Sequence, residues 1–330
     1  MRAVSYSSVS MWRECQQEYW YRYVDILRPK VEEVPLTLGR MLHTALEEFY
    51  RGGSPKHALA ILDQFQPQLD AYAAAAHAMD EPELGAEFAG LCDKAKAITT
   101  RYLLVRGKED KERYSSILTE ERIEYPLTDT INAVVVIDLV TEDIDGHKHL
   151  WEHKTTKNVP SQGYRMRDLQ TLWAAAMLAE ARGIKVEGIV WNYLRTKEPT
   201  RPQVLQNGTL TKRKDLDTTW HRYQQEIFAA GLNEDDYLDV KERLEDKEMS
   251  VYFPRIEIPI LQDERILLRD FIATAKEMEH CLDNTRFTPV RNIGRKCDYC
   301  TYSKLCDAVI LHGHDADSEL KARLFTIERR

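Results

Sequence analysis

Five consecutive apolar residues, Ala133-Val134-Val135-Val136-Ile137, run without interruption into Asp138. A run of this kind reads as a central β-strand covered on both faces, so the carboxylate at its end needs a partner. The next strand supplies one in Trp151-Glu152-His153-Lys154, where the two-residue period puts Glu152 and Lys154 on the same face. Two converging carboxylates form a hard oxygen site suited to Mg²⁺ or Mn²⁺. Such an ion orients a scissile phosphate, lowers the pKa of an attacking water and stabilises charge on the phosphoryl oxygens. Lys154 would orient that water or add positive charge, and the trio points to phosphodiester hydrolysis.

The link between the two strands decides whether these groups can meet. A two-residue loop at Asp145-Gly146 would set Asp138 opposite His153 and turn Glu152 away. A three-residue loop, Ile144-Asp145-Gly146 with Gly146 left-handed, pairs Asp143 with His147 and sets Asp138 opposite Glu152. The catalytic reading requires this odd register or an equivalent bulge.

Around this centre the apolar period changes along the chain. The first third predicts helices over Val9 to Leu27, Leu36 to Tyr50, His57 to Ala76 and Glu83 to Val105; in the last, Leu84, Phe88, Leu91, Ala95, Ile98 and Tyr102 recur at helical spacing. The middle third predicts strands over Ile117 to Leu127, Asn132 to Val140, His149 to Thr155 and Val186 to Leu194. A helix over Gln162 to Arg182, ended by Gly183, precedes the last of them. Strand, long helix and strand make a βαβ crossover, hence a sheet of mixed direction. Pro199 to Asp217 reads as an exposed loop with a turn at Asn207-Gly208. A helix from Thr218 to about Ala230, an acidic amphipathic stretch to Glu248, a strand over Val251 to Ile260 and a helix over Asp263 to Leu282 complete the pattern. The expected organisation is a helical region at 1–115, a nuclease core at 116–260 and a C-terminal helix with a cysteine cluster at 261–330, integrated as one domain.

With 330 residues, 43% of them hydrophobic and 30% charged, the chain can bury a substantial core. No apolar signal core and no run of the ~18 apolar residues that a membrane helix needs is found. The expectation is a soluble cytoplasmic protein without membrane contact. The net charge of -8 argues against indiscriminate polyanion binding, so a DNA substrate would need a local basic groove. Candidate contacts are Arg165 and Arg167, Tyr164 as a base-stacking group, and the Lys212-Arg213-Lys214 run. An ordinary charged helix turn explains the first three equally well, and a solvated charge run is the commoner outcome for Lys212-Arg213-Lys214.

Six cysteines are too few for a disulfide scaffold in a chain of this length. Cys297, Cys300 and Cys306 form C-x₂-C-x₅-C, and three thiolates need a fourth ligand. Cys92 and Cys281 lie on apolar helical stripes and read as core, which leaves Cys15. Four thiolates suit an iron–sulfur cluster or a structural zinc, and either would clip the terminal segments together.

Taken together, these motifs resemble the RecB-like branch of the PD-(D/E)XK nucleases, which includes CRISPR-associated exonucleases, nuclease modules of AddB-type helicase complexes and many phage proteins. Tyr6-Ser7-Ser8-Val9-Ser10-Met11-Trp12-Arg13-Glu14-Cys15 looks like the serine-led helix of that branch ending in a cysteine, with Gln16 in place of the usual proline. Leu38-Gly39-Arg40-Met41-Leu42-His43 looks like its glycine-to-histidine motif. Asp138 and Glu152-His153-Lys154-Thr155 match the catalytic strands, and Asp168-Leu169-Gln170 matches the glutamine motif, although Ala174 stands where a tyrosine is usual and Thr301 where a proline is frequent.

The resemblance implies an α/β, restriction-endonuclease-like mixed sheet flanked by helices, with a helical N-terminal elaboration and a C-terminal iron–sulfur segment. It further implies that His43 and the backbone carbonyl of His153 join Asp138 and Glu152 around Mg²⁺ or Mn²⁺, and that Gln170 holds substrate or water. A 4Fe–4S cluster would sit on Cys15, Cys297, Cys300 and Cys306. The implied activity is exonuclease action on single-stranded DNA or DNA ends in recombination, repair or replication, with recombination or replication proteins as partners and a host-cytoplasm location if the protein is phage-encoded. Two other classes stand beside it: a non-catalytic DNA-binding subunit of a recombination complex, and a zinc-stabilised interaction protein with an accidental Glu-x-Lys match.

Overall fold

The apolar run at 133–137 sits inside the strand that organises the molecule. A computed structural model describes residues 2–159, 168–260, 264–313 and 316–328. Its strands are β1 (Arg2–Ser5), β2 (Leu27–Pro29), β3 (Tyr114–Pro126), β4 (Ile131–Asp143), β5 (Lys148–Thr156), β6 (Gly188–Arg195), β7 (Arg255–Pro259) and β8 (Phe325–Ile327). Strand β3 pairs antiparallel along nearly the whole of β4, from Asn132 to Asp143. The other edge of β4 is shared: β1 pairs in parallel with Ile131 to Val134, and β5 pairs antiparallel with Leu139 to Glu142. Between them, among the described residues, the backbone of Val135 to Asp138 has no strand on that edge, and this gap opens the cleft described below.

The β4–β5 hairpin has the odd register that the catalytic reading requires. Asp143 N–H donates to the His147 carbonyl at 3.0 Å, Gly146 N–H donates to the Asp143 carbonyl, and Gly146 has φ of 86°, a conformation that glycine adopts without a Cβ clash. Leu139 therefore pairs with Trp151, and Asp138 stands level with Glu152.

From β5 the chain crosses through the helix Leu169–Arg182 to β6, which runs parallel to β5. The side chain of Asp168 caps the helix by accepting the Thr171 N–H, and Gly183 ends it with φ of 67°. Strand β7 pairs antiparallel with β6, so the sheet is mixed, as the crossover predicts. All eight residues of β6 are buried. On one face Leu139, Trp151, Val190 and Leu194 pack against the helices Val34–Tyr50 and Leu91–Tyr102. On the other, Leu150, Ile189 and Trp191 pack against Leu172, Ala175 and Leu178 of the crossover helix.

The chain ends close on each other. Trp173 stacks on Phe271 of the helix Glu264–Asp283 with ring centroids 3.7 Å apart, a contact worth ~0.5–1.5 kcal/mol beyond its buried area. Met278 of that helix joins Val9 and Trp12 in the same cluster. Strands β2 and β8 pair across nearly the whole chain. No helix among the described residues is long and apolar enough to cross a membrane.

Four local expectations are revised. The N-terminal region is not purely helical, because Arg2–Ser5 joins the sheet and buries Val4. The helix expected over Val9 to Leu27 begins at Tyr6 and breaks at Cys15, which is extended (φ -161°, ψ 107°), before Gln16–Tyr19 and a π-turn over Trp20–Val24. The long helices of the first third are segmented where Pro67 and Pro82 enter first turns and Gly90 links Pro82–Ala89 to Leu91–Tyr102. The strand expected from Val251 starts at Arg255, because Tyr252 and Phe253 are both buried in one cluster, which alternating strand geometry does not allow.

Candidate active site

Asp138, Glu152 and Lys154 line one cleft of about 640 Å³ with His43 and Gln170. The β4–β5 ladder ends at the Leu139–Trp151 pair, and beyond it the carboxylate of Asp138 accepts the His153 backbone N–H at 2.8 Å. Glu152 follows Trp151 on β5 and turns its carboxylate to Lys154, whose ammonium donates at 2.5 Å, and to Gln170, whose amide donates at 3.3 Å. His43 reaches the cleft from the helix Val34–Tyr50, whose opposite stripe of Leu42, Ala45, Leu46 and Phe49 is buried and fixes its rotation. Its Nε2 lies 3.1 Å from the His153 carbonyl oxygen, which leaves Nδ1 facing two carboxylates, 3.4 Å from Glu120 and 3.6 Å from Asp138.

Glu120 is the residue that the sequence analysis missed. On β3, Thr119 pairs with Leu139 and Glu121 with Ile137, so Glu120 stands opposite Asp138. It has φ of 47°, a region that costs a side-chain-bearing residue energy and recurs at functional sites. Its Oε1 is buried without a hydrogen bond of normal geometry. With His43 and Asp138 it forms a group whose ligand atoms lie within 4.8 Å of one another. Continuing the β4 register into β3 was the available signal.

Burial dominates the electrostatics, and crowding of like charge adds to it. Burial pushes the Glu152 carboxyl up to about 7, the Asp138 charge adds to the rise and Lys154 opposes it. Asp138 is also raised by burial, against the pull of His43 and with Glu120 adding to the rise. For His43, burial disfavours the charged ring, but Glu120 and Asp138 outweigh it and raise its pKa. Lys154 likewise stays above the usual lysine value despite burial because Glu152 holds its charge. Carboxylates forced together in a partly dry cleft, one with an unsatisfied oxygen, are what a hard divalent cation relieves.

A family model described as the PD-(D/E)XK nuclease superfamily matches residues 3–307. The chain belongs to that superfamily. PD-(D/E)XK proteins are in general metal-dependent nucleases that hydrolyse phosphodiesters with Mg²⁺ or Mn²⁺, and DNA is the substrate the family implies. Their mixed α/β core is the one seen here. No curated protein shows significant similarity to the chain.

A second group of side chains lies away from the PD-(D/E)XK cleft. Cys15, Cys297, Cys300 and Cys306 line one small cavity of about 70 Å³, none of them in a disulfide. The segments bearing them are tied by Lys296 to Glu14 and Glu18 and by Asn292 donating to the Glu14 carbonyl. Cys92 is buried in the core and Cys281 packs at the edge of another cluster.

The other sequence candidates are not all brought together. Ala174 and Trp173 both line the cleft, and Trp173 turns its ring onto Phe271. Tyr164, Arg165 and Arg167 lie outside the described residues. Lys212 and Arg213 are exposed but engaged, Lys212 with the Asp236 carbonyl and Asp239, Arg213 with Asp215; Lys214 is exposed beside them.

Proposed function

We propose that the chain is a deoxyribonuclease of the RecB-like kind that digests single-stranded DNA or DNA from its ends, with Asp138, Glu152, Lys154 and Gln170 as catalytic residues. The observation that carries this reading is the convergence of Asp138, Glu120 and His43 within ligand distance, beside Glu152 held by Lys154 and Gln170. This donor set fits Mg²⁺ or Mn²⁺, with Asp138, Glu152, His43 and the His153 carbonyl as the expected ligands and Glu120 added to them. The bound ion would supply Lewis-acid stabilisation of the phosphoryl oxygens and a more acidic water. Lys154, kept charged by Glu152, orients the attacking water and faces the developing negative charge. Gln170 fixes the Glu152 rotamer from the crossover helix.

The four cysteines are proposed to hold a 4Fe–4S cluster that clips the chain ends. Four thiolates suit such a cluster or one zinc, and the resemblance to RecB-like nucleases favours the cluster. The three regions 1–115, 116–260 and 261–330 then act as one integrated nuclease domain. A role beside recombination or replication proteins follows from the same reading.

The decisive test is anaerobic purification followed by incubation with end-labelled single- and double-stranded DNA and Mn²⁺, comparing wild type with Lys154→Ala. Cleavage that Lys154→Ala abolishes is expected. Equal cleavage by both overturns the assignment, and DNA binding without cleavage under any divalent ion points to a non-catalytic subunit.

A further inference from the structure

Outside the acidic cleft, a cavity of about 440 Å³ opens between the helices Leu91–Tyr102 and Trp220–Ala229 and the loop after β6. Lys94, Arg101, Arg201, Arg222 and His221 line it, with Glu198 as the carboxylate among the lining residues. In a chain of net charge -8 this local excess of cations stands against the overall balance.

The half-buried Arg101 is the informative member. Its Nε is buried with no hydrogen-bond partner, and among the described residues its side chain has no ion pair. Burial lowers its pKa against the smaller pulls of Tyr252, Glu198 and Glu248, and Arg222 adds least. Arg201 and Arg222 share Glu226 loosely, at 3.8 and 3.6 Å, and Glu248 is occupied by the His221 backbone N–H. A guanidinium whose Nε is buried without a partner is relieved when an anion completes it, and its planar fork suits phosphate.

The cavity opens at the carboxyl end of β6, the strand that pairs with the one carrying Lys154. Lys154 pairs with Tyr193, and Thr196, which lines the cavity, follows three residues later and donates to the Thr156 carbonyl. That step is roughly 10 Å along parallel strands. Ligands in such sheets collect at the carboxyl ends of parallel strands.

We propose that this cavity binds a backbone phosphate of the nucleic-acid substrate, with Arg101 as the positioning residue. The inference rests on the nuclease reading for its substrate and on the orphaned guanidinium for its site. The test measures binding of a labelled single-stranded oligonucleotide to the anaerobically purified full chain in EDTA, as a function of salt, for wild type, Arg101→Gln, Arg101→Lys and the exposed-site control Lys108→Gln. Arg101→Gln is expected to weaken binding about tenfold and to flatten the slope of log affinity against log salt by about 0.7, one phosphate's share. Arg101→Lys should retain much of the affinity, Lys108→Gln should match wild type, and the melting temperature of Arg101→Gln should not fall.

Unchanged affinity and slope in Arg101→Gln overturn the proposal. It is also overturned if inorganic phosphate raises the melting temperature in an Arg101-dependent way while oligonucleotide affinity is the same in both proteins, because the site then takes a free anion. Arg101-dependent binding without Mn²⁺-dependent cleavage would sink the nuclease reading and leave this site standing; cleavage without Arg101-dependent binding does the reverse.

Discussion

The carboxylate of Asp138 accepts the backbone N–H of His153 at 2.8 Å, so a side chain continues the pairing of β4 with β5 after the backbone ladder has stopped. This contact locks the acidic residue of one strand to the residue between Glu152 and Lys154 on the next. Behind it the His153 ring is buried, with Asn192 donating to its Nδ1 at 3.0 Å. Burial, aided by the charges of His43 and Arg255, holds that ring well below the usual histidine pKa, so it stays neutral and packs as part of the wall.

Glu120 should behave as a metal ligand. Glu120→Gln is expected to weaken Mn²⁺ affinity about 10- to 100-fold, measured by calorimetric titration, whereas Glu121→Gln, which loses a surface pair with Arg182, should bind Mn²⁺ as wild type does. Equal affinities for all three proteins would remove Glu120 from the site.

Metal binding should strengthen with pH. The Glu152 carboxyl is raised from 4.5 to about 7 in the folded chain, so its contribution to metal-free stability is complete below its unfolded value and is lost as pH rises towards 7. Divalent binding needs the ionised form and releases protons. The rise in melting temperature that Mn²⁺ produces should therefore be small near about pH 5 and largest above about pH 7; a difference constant across that window counts against the site.

The wall behind His153 depends on one buried ion pair. Arg255 contacts both oxygens of Asp110, whose side chain is fully buried, and also reaches Tyr102 and Asn192. Asp110→Asn leaves that arginine uncompensated and should cost ~3–5 kcal/mol, read from urea unfolding. A loss under 1 kcal/mol would show that the network is dispensable.

Gly146 sets the register. Gly146→Ala forces a side chain into φ of 86° and should cost ~1–2 kcal/mol while lowering cleavage, because relief of the strain shifts Asp138 away from Glu152. Full stability together with full activity would refute this role of the turn.

The cysteine cavity predicts colour. Protein purified anaerobically should absorb in the visible range and contain iron and sulfide. Cys300→Ser should lose both and become protease-sensitive at its chain ends, whereas Cys281→Ser should lose neither. Zinc in colourless wild-type protein would replace the cluster with a zinc site.

Local pattern determined much of this molecule. The apolar run before Asp138, the alternation at Glu152 and Lys154, the odd hairpin at Gly146 and the crossover helix ended by Gly183 are all short-range features, and short-range sterics and period write them directly into the sequence. Tertiary structure decided the rest. Glu120 enters the site only because β3 lies in register against β4, and Arg2–Ser5 became a strand because an edge of β4 was free to receive it. The Arg101 cavity exists because helices more than a hundred residues apart meet the end of β6. These outcomes depend on which surfaces are left unpaired once the core has packed, a property of the assembled chain that no window of residues contains.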